Sequence, residues 1–255
     1  MKHRVAMTGL AMAALLVSVG CVPAPEPEPE PDLCQPGTYS TDGAPPCTPA
    51  PVGTFVAAEG ASEAIHCPVG TYQDEEGQAS CKPAPAGWFV ATTGAREATA
   101  CPLGTYQDET GQSSCKPAPA GSHVGSTGAS QATECLPGTF QDSEGQTSCT
   151  DAPAGRYVAV SGATEATSCT PGTYQDSEGQ ASCKDADPGH FVAYSESNSQ
   201  TKCPIGTYQT NSGEMYCLLA PVGSYVDTAG SATATECPEG TTTENEGSTS
   251  IDDCA

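Results

Sequence analysis

Apolar core residues are what this sequence has least of: Leu, Ile, Val and Phe together number 29 of 255 residues. That share lies well below the roughly 20% under which a highly charged chain is read as disordered. A conventional domain built around one oily core is excluded. Basic residues are scarce too, eight Lys and Arg against 31 Asp and Glu, which excludes a nucleic-acid partner, because phosphate backbones demand dense positive charge. The four histidines, His3, His66, His123 and His190, lie far apart. No Ser/His/Asp set, phosphate loop or catalytic cysteine context accompanies them, so the sequence indicates no enzyme and no catalytic residue. Zinc sites space their cysteines roughly two to four residues apart, whereas the closest here are thirteen apart. No metal and no cofactor are expected.

What the chain does have is cysteine on a ladder. The rungs Cys67 to Cys81, Cys101 to Cys115, Cys135 to Cys149, Cys169 to Cys183 and Cys203 to Cys217 each span fourteen positions. After each rung comes a similar segment without cysteine, in which Ala50/Ala64, Ala84/Ala98, Ala118/Ala132, Ala152/Ala166 and Ala220/Ala234 hold the two places, with Ala186/Gln200 a partial exception. Two positions that lose cysteine together are partners in one bond, since losing one alone would leave an orphan thiol. The five rungs are therefore expected to be local disulfides, and elimination adds Cys34 to Cys47 and Cys237 to Cys254. The last pair is irregular, with Ile251 where the ladder calls for cysteine. Each loop of about fifteen residues closed in this way is worth roughly 3 kcal/mol in the chain-entropy account, so covalent staples stand in for the missing core. Such bonds persist in an oxidising compartment, outside the cytosol.

The repeating unit is a half-module of seventeen residues, present thirteen times from Cys34 onward, with alternate copies lacking the bridge. Numbering the cysteine or alanine place as a, every copy has glycine at a+3 and eleven have an aromatic ring at a+5; His123 and Thr242 depart. In residues 67–81 the Asp74-Glu75-Glu76-Gly77 segment matches a type I turn. Short arms on either side make a hairpin, its open end closed by the disulfide, while Tyr72 is expected to pack on the bridge or the next unit as the apolar anchor. Bridgeless copies carry more apolar arms, as in Trp88-Phe89-Val90-Ala91 and Arg156-Tyr157-Val158-Ala159-Val160, consistent with packing that offsets a lost bridge. The expected fold is small, disulfide-rich and all-β: an elongated tandem array of short disulfide-closed hairpins with little helix, in which each unit touches mainly its neighbours.

Residues 1–20 have the form of a secretory signal, with Lys2, His3 and Arg4 ahead of an apolar stretch over residues 5–19 that is short for a bilayer span. The segment Ser18-Val19-Gly20-Cys21 resembles the lipobox of bacterial lipoproteins, with Ser18 where that motif usually carries leucine. The resemblance implies diacylation of Cys21, which would leave an even fourteen unmodified cysteines in the mature chain. Residues 21–33 then form a tether in which proline alternates with acid, extended at ~3.1 Å per residue, and residues 34–255 form the repeats. The membrane is a partner through the lipid, and the protein would sit at the bacterial outer membrane or cell surface. The alternative is an ordinary signal with an unmodified Cys21 and a secreted product. Removing the signal leaves six Lys and Arg against 31 acids, a formal −25.

The string from Cys67 to Pro83, read again from Cys101 to Pro117, resembles the cysteine-rich repeats of the ephrin-receptor-like family, related to tumour-necrosis-factor-receptor modules. That family usually continues its second cysteine as Cys-x-x-Cys-Pro-x-Gly, whereas alanine stands at the later cysteine here in every internal case. The resemblance implies extracellular, elongated, non-catalytic modules that space or present binding surfaces. The function expected is a surface stalk, adhesion or protein-interaction role toward other surface proteins or glycans. A receptor-like protein with a dedicated ligand site at Trp88 or His123 is the alternative, although either residue can equally be a plain occupant of its repeat position. Calcium at the acidic tips of Asp74, Asp108, Asp142 and Asp176 is a further option, although turn chemistry accounts for the same residues.

Overall fold

The computed structural model describes residues 32–255; the signal, Cys21 and the tether up to Pro31 lie outside the described residues. Each half-module begins with a tight bend. In the copy starting at Cys67, the Thr71 amide donates to the Pro68 carbonyl (3.1 Å), and Gly70 holds φ +82°, the geometry of a type II turn with glycine at its third place. The Thr71 hydroxyl donates to the same carbonyl (2.8 Å). Two residues of strand follow, Thr71–Tyr72, pairing antiparallel with Lys82–Pro83. This pattern recurs as twelve two-stranded hairpins among the described residues, built from 24 strands of two residues each. The helical content of the described residues is one 3-10 turn, Ile251–Asp253.

The position of the second arm corrects the sequence-based expectation. It lies beyond Cys81, so the Cys67–Cys81 bridge does not close the hairpin's open end. It ties the residue just before the second arm to the start of the copy. The bridges are Cys34–Cys47, Cys67–Cys81, Cys101–Cys115, Cys135–Cys149, Cys169–Cys183, Cys203–Cys217 and Cys237–Cys254, with Cα separations of 5.6–5.8 Å, in the ordinary range.

The most deeply buried places are others than the a+5 anchor. The a+5 rings are only half-buried in all eleven copies that have one. Position a is buried throughout the first twelve copies, whether it is Cys67 or Ala84 (both 0% exposed). The other interior place is a+6, which is Val in the bridgeless copies (Val56, Val90, Val124, Val158, Val192, Val226) and Gln in five bridged ones (Gln73, Gln107, Gln141, Gln175, Gln209), all buried. A buried glutamine costs free energy unless its amide is paired, and these are. Gln73 Nε2 donates to the Ser80 carbonyl (2.8 Å), and its Oε1 accepts from the Glu75 amide (3.1 Å), which closes the tip loop from inside.

Copies are joined by backbone bonds that ignore whether a bridge is present. Around Gly70, its amide donates to Val90 O (2.8 Å), Ala84 N donates to Gly70 O (2.9 Å), Gln73 N to Ala95 O (3.1 Å) and Gly77 N to Ala50 O (2.8 Å). Contacts extend further than nearest neighbours. A β-carbon at Gly70 would run into the carbonyl of Gly111, two copies on, and Arg156 Nη2 donates to Glu196 Oε1 (2.7 Å) across forty residues. The expectation of mainly neighbour-to-neighbour contact is thus widened to a full period. In the last copy three extra residues form the capped 3-10 turn: Asp252 N donates to Ser250 Oγ (3.1 Å) and Ser250 N to Asp253 Oδ2 (3.1 Å). Thr242 and Ala255 then exchange backbone bonds of 3.2 and 3.0 Å, which carries Cys254 back to Cys237 despite Ile251.

Candidate functional site

Position a+4 separates the two kinds of copy. Bridged copies carry threonine there, at residues 38, 71, 105, 139, 173, 207 and 241, and each hydroxyl closes its own bend. Bridgeless copies carry Thr54, Trp88, Ser122, Arg156, His190 and Ser224. The bend survives this variation because the backbone suffices: Trp88 N reaches Pro85 O at 3.0 Å and Arg156 N reaches Pro153 O at 3.0 Å. Thr54 still closes its bend through its hydroxyl (2.7 Å), and Thr54, Ser122 and Ser224 are buried, but the a+4 side chain at Trp88 and at Arg156 is released from that duty.

It lines a cleft. Tyr72 and Asp74 of one copy, with Pro85, Trp88, Glu97 and Ala98 of the next, enclose about 420 Å³. Sixty-eight residues on, two periods away, Phe140, Asp142, Pro153, Arg156, Glu165 and Ala166 occupy the matching places around about 460 Å³, joined by Thr164. The frame is constant: an aromatic ring, an Asp, a Pro, a Glu and an Ala. Beneath the second cleft Phe140 packs on the buried cluster Ala152, Val158 and Ala166, so its floor is set by the core. Trp88 is 39% exposed, with its indole near Gly128. Arg156 is drawn along the array to Glu196, which also accepts from Ser168 Oγ (2.7 Å). The Ser168 hydroxyl and then the Arg156 guanidinium hold the Glu196 carboxyl below its usual pKa.

The acidic tips are mostly engaged within their own hairpins. Lys82 Nζ donates to Asp74 Oδ1, Lys116 Nζ to Asp108 Oδ1 and Lys184 Nζ to Asp176 Oδ1, each at 2.6 Å. These bonds hold the three aspartates below, and the three lysines above, their ordinary pKa. Asp142 faces no lysine, because Thr150 takes that place, and accepts from Ser143 Oγ (2.8 Å) instead. Among the described residues no three carboxylates converge at ligand distance, so the tips read as turn residues locked by ion pairs.

One juxtaposition escaped the sequence spacing. His123, in the a+5 place otherwise held by an aromatic ring, puts Nδ1 3.2 Å from Cys149 Sγ in the following copy. Its nitrogen and the two sulfurs of Cys135 and Cys149 lie within 4.8 Å of one another. Their twelve- and fourteen-residue separations in sequence gave no sign of this, because the fold brings a+5 of one copy onto the bridge of the next.

No curated protein matches the chain. The family described as tyrosine-protein kinase ephrin type A/B receptor-like matches it five times in tandem, over residues 57–101, 89–135, 132–169, 155–203 and 206–254. Such repeats point to an extracellular protein-interaction module, and repeat arrays of this disulfide-rich kind are typical of non-enzymatic proteins. With seven local bridges, two-residue hairpins and a family match over most of its length, the chain belongs to the ephrin-receptor-like family of cysteine-rich repeat proteins.

Proposed function

We propose that the mature chain is a lipid-anchored bacterial surface protein, held through Cys21 and the residue 21–33 tether, whose repeats bind other surface proteins through the clefts at Trp88 and Arg156. The observation that carries this reading is the frame shared by the two clefts around different a+4 side chains, Trp88 and Arg156. A position freed from folding and placed in a repeated hollow can diversify for recognition, as loop and solenoid surfaces do. The cleft at Trp88 places the Trp88 and Tyr72 rings with Glu97, beside Asp74 in its pair with Lys82, which suits a lysine or arginine side chain of a protein partner. The chain's formal charge of −23 favours the same sign of partner.

Two measurements on cells producing the full chain test the reading. Labelling with an alkyne-bearing fatty acid should mark the wild type and not Cys21→Ala, which should appear in the medium. Cell attachment to a protein-coated surface should fall with Trp88→Thr, a residue that the same place tolerates at Thr54, while the far-ultraviolet circular dichroism stays unchanged. Attachment that ignores Trp88→Thr and Arg156→Thr and tolerates removal of any one period would make the array a spacer instead.

A further inference from the structure

The geometry points to a redox-gated metal site: the Cys135 and Cys149 thiolates, once their bridge is opened, would bind zinc together with His123 Nδ1. In the described structure the two sulfurs are bonded to each other. Opened by a dithiol reductant, the bridge takes up two electrons and two protons. Two cysteine thiols form while the reductant's own two thiols close into a disulfide. Zinc then displaces both thiol protons and gains two thiolates and one imidazole nitrogen, a soft N/S set that suits it, with a fourth position left for water. A small-molecule disulfide reverses the step by exchange: it accepts the two electrons, and two protons from solution, to become two thiols, the Cys135–Cys149 bridge re-forms and the zinc ion is released.

Four observations converge on this one rung. The three donor atoms lie within 4.8 Å of one another, so modest side-chain movement reaches zinc–ligand distances of roughly 2.0–2.3 Å. No other ladder copy has a nitrogen ligand at a+5, where Tyr or Phe stands in all the rest up to Tyr225. Beside the ring, the a+7 place holds Gly125, where the other bridgeless copies have Ala57, Ala91, Ala159, Ala193 or Asp227. A β-carbon there would come 3.3 Å from the Thr147 carbonyl and 4.0 Å from His123 Cδ2, so the glycine keeps room next to the imidazole. Finally, the fold tolerates an open bridge, because the bridgeless copies place Ala84, Ala118 and Ala152 in the same buried seat with the same backbone bonds.

The test opens bridges in the full chain with a phosphine reductant, adds zinc, alkylates free thiols and maps them by mass spectrometry. In the wild type, zinc should slow alkylation of Cys135 and Cys149 by about tenfold or more while the other opened pairs react freely. In His123→Phe, which restores the ring of Phe89, that protection should shrink to about the level of the other pairs. Cobalt(II) titration supplies a second reading: the reduced wild type should show the intense visible absorption of tetrahedral thiolate coordination, and neither the oxidised protein nor His123→Phe should match it. Equal protection of all pairs, or protection unchanged in His123→Phe, would overturn the site. Selective loss of protection with unchanged circular dichroism would establish it.

Discussion

At the scale of single residues, glycine at a+3 does two separable things. Gly70 must adopt φ +82° and must also leave space for the Gly111 carbonyl, whereas Gly240 at φ +86° has nothing within 4 Å of where a β-carbon would be. Gly240→Ala should therefore lose only the left-handed penalty, about 1–2 kcal/mol. Gly70→Ala adds a backbone clash and should lose about 3 kcal/mol or more, a difference that urea denaturation of the two variants would resolve. Val158, 2% exposed against Ala152 and Ala166, should lose about 2 kcal/mol on truncation to alanine, from two methyl groups removed and the hole they leave. Glu196 is the exception at a+10: it holds φ 59° where most copies carry glycine, and its carboxylate joins Arg156 and Ser168. Glu196→Ala keeps the strain and loses both partners, so it should melt below Glu196→Gly. The a+3 glycines and a+5 rings were legible as a pattern. The a+6 interior was not, because Gln73 and Val90 share a seat but not a polarity, and only the internal bonds of the Gln73 amide reveal why glutamine can be buried there.

At the scale of the hairpin, sequence showed the short arms and the tip but not their frame. The arms were expected inside residues 67–81, yet the return arm, Lys82–Pro83, lies beyond Cys81. It is this shift that brings Lys82 over Asp74. The consequence is a pH signature with both edges defined. The aspartate pKa values lie below 3.8 in the fold, so their contribution is complete above the unfolded value and lost as pH falls through the folded ones. The lysine values lie above 10.5, so that contribution is complete below the unfolded value and lost as pH rises through the folded ones. The melting-temperature gap between wild type and a Lys82→Met, Lys116→Met, Lys184→Met variant should persist from about pH 5 to 9 and close on either side. Each pair is exposed, so the gap should also shrink in high salt.

Over the whole array, the sequence conveyed period and bridge alternation but not reach. Nothing at separations of forty and forty-one residues announces that Arg156 meets Glu196, or that Gly70 abuts Gly111, because it is the path of the intervening copies that brings these places together. The same reach explains how bridgeless copies hold: each is clamped by the copies before and after it, with position a already buried. In its backbone a bridgeless copy is thus a bridged one without the sulfurs, and Ala84→Cys with Ala98→Cys should form an eighth disulfide without rearrangement. The closed loop should add up to about 3 kcal/mol by constraining the unfolded chain, read as a higher denaturation midpoint and as no free thiol in the variant. Removing a full period is the complementary case. Without residues 101–134, Cys135 follows Ala100 as Cys101 did, its amide can bond Gly87 O, and Gly70 meets Gly145 in place of Gly111, like for like at every contact. Such a shortened chain should keep all its remaining bridges and melt slightly lower, as expected of a stack with one nearest- and next-nearest-neighbour set fewer. Removing residues 84–100 alone instead sets two bridged copies side by side, with Gln73 facing Gln107 where Val90 had been, so its melting should fall much further; equal melting of the two deletions would show that the alternation of Val and Gln carries no packing information.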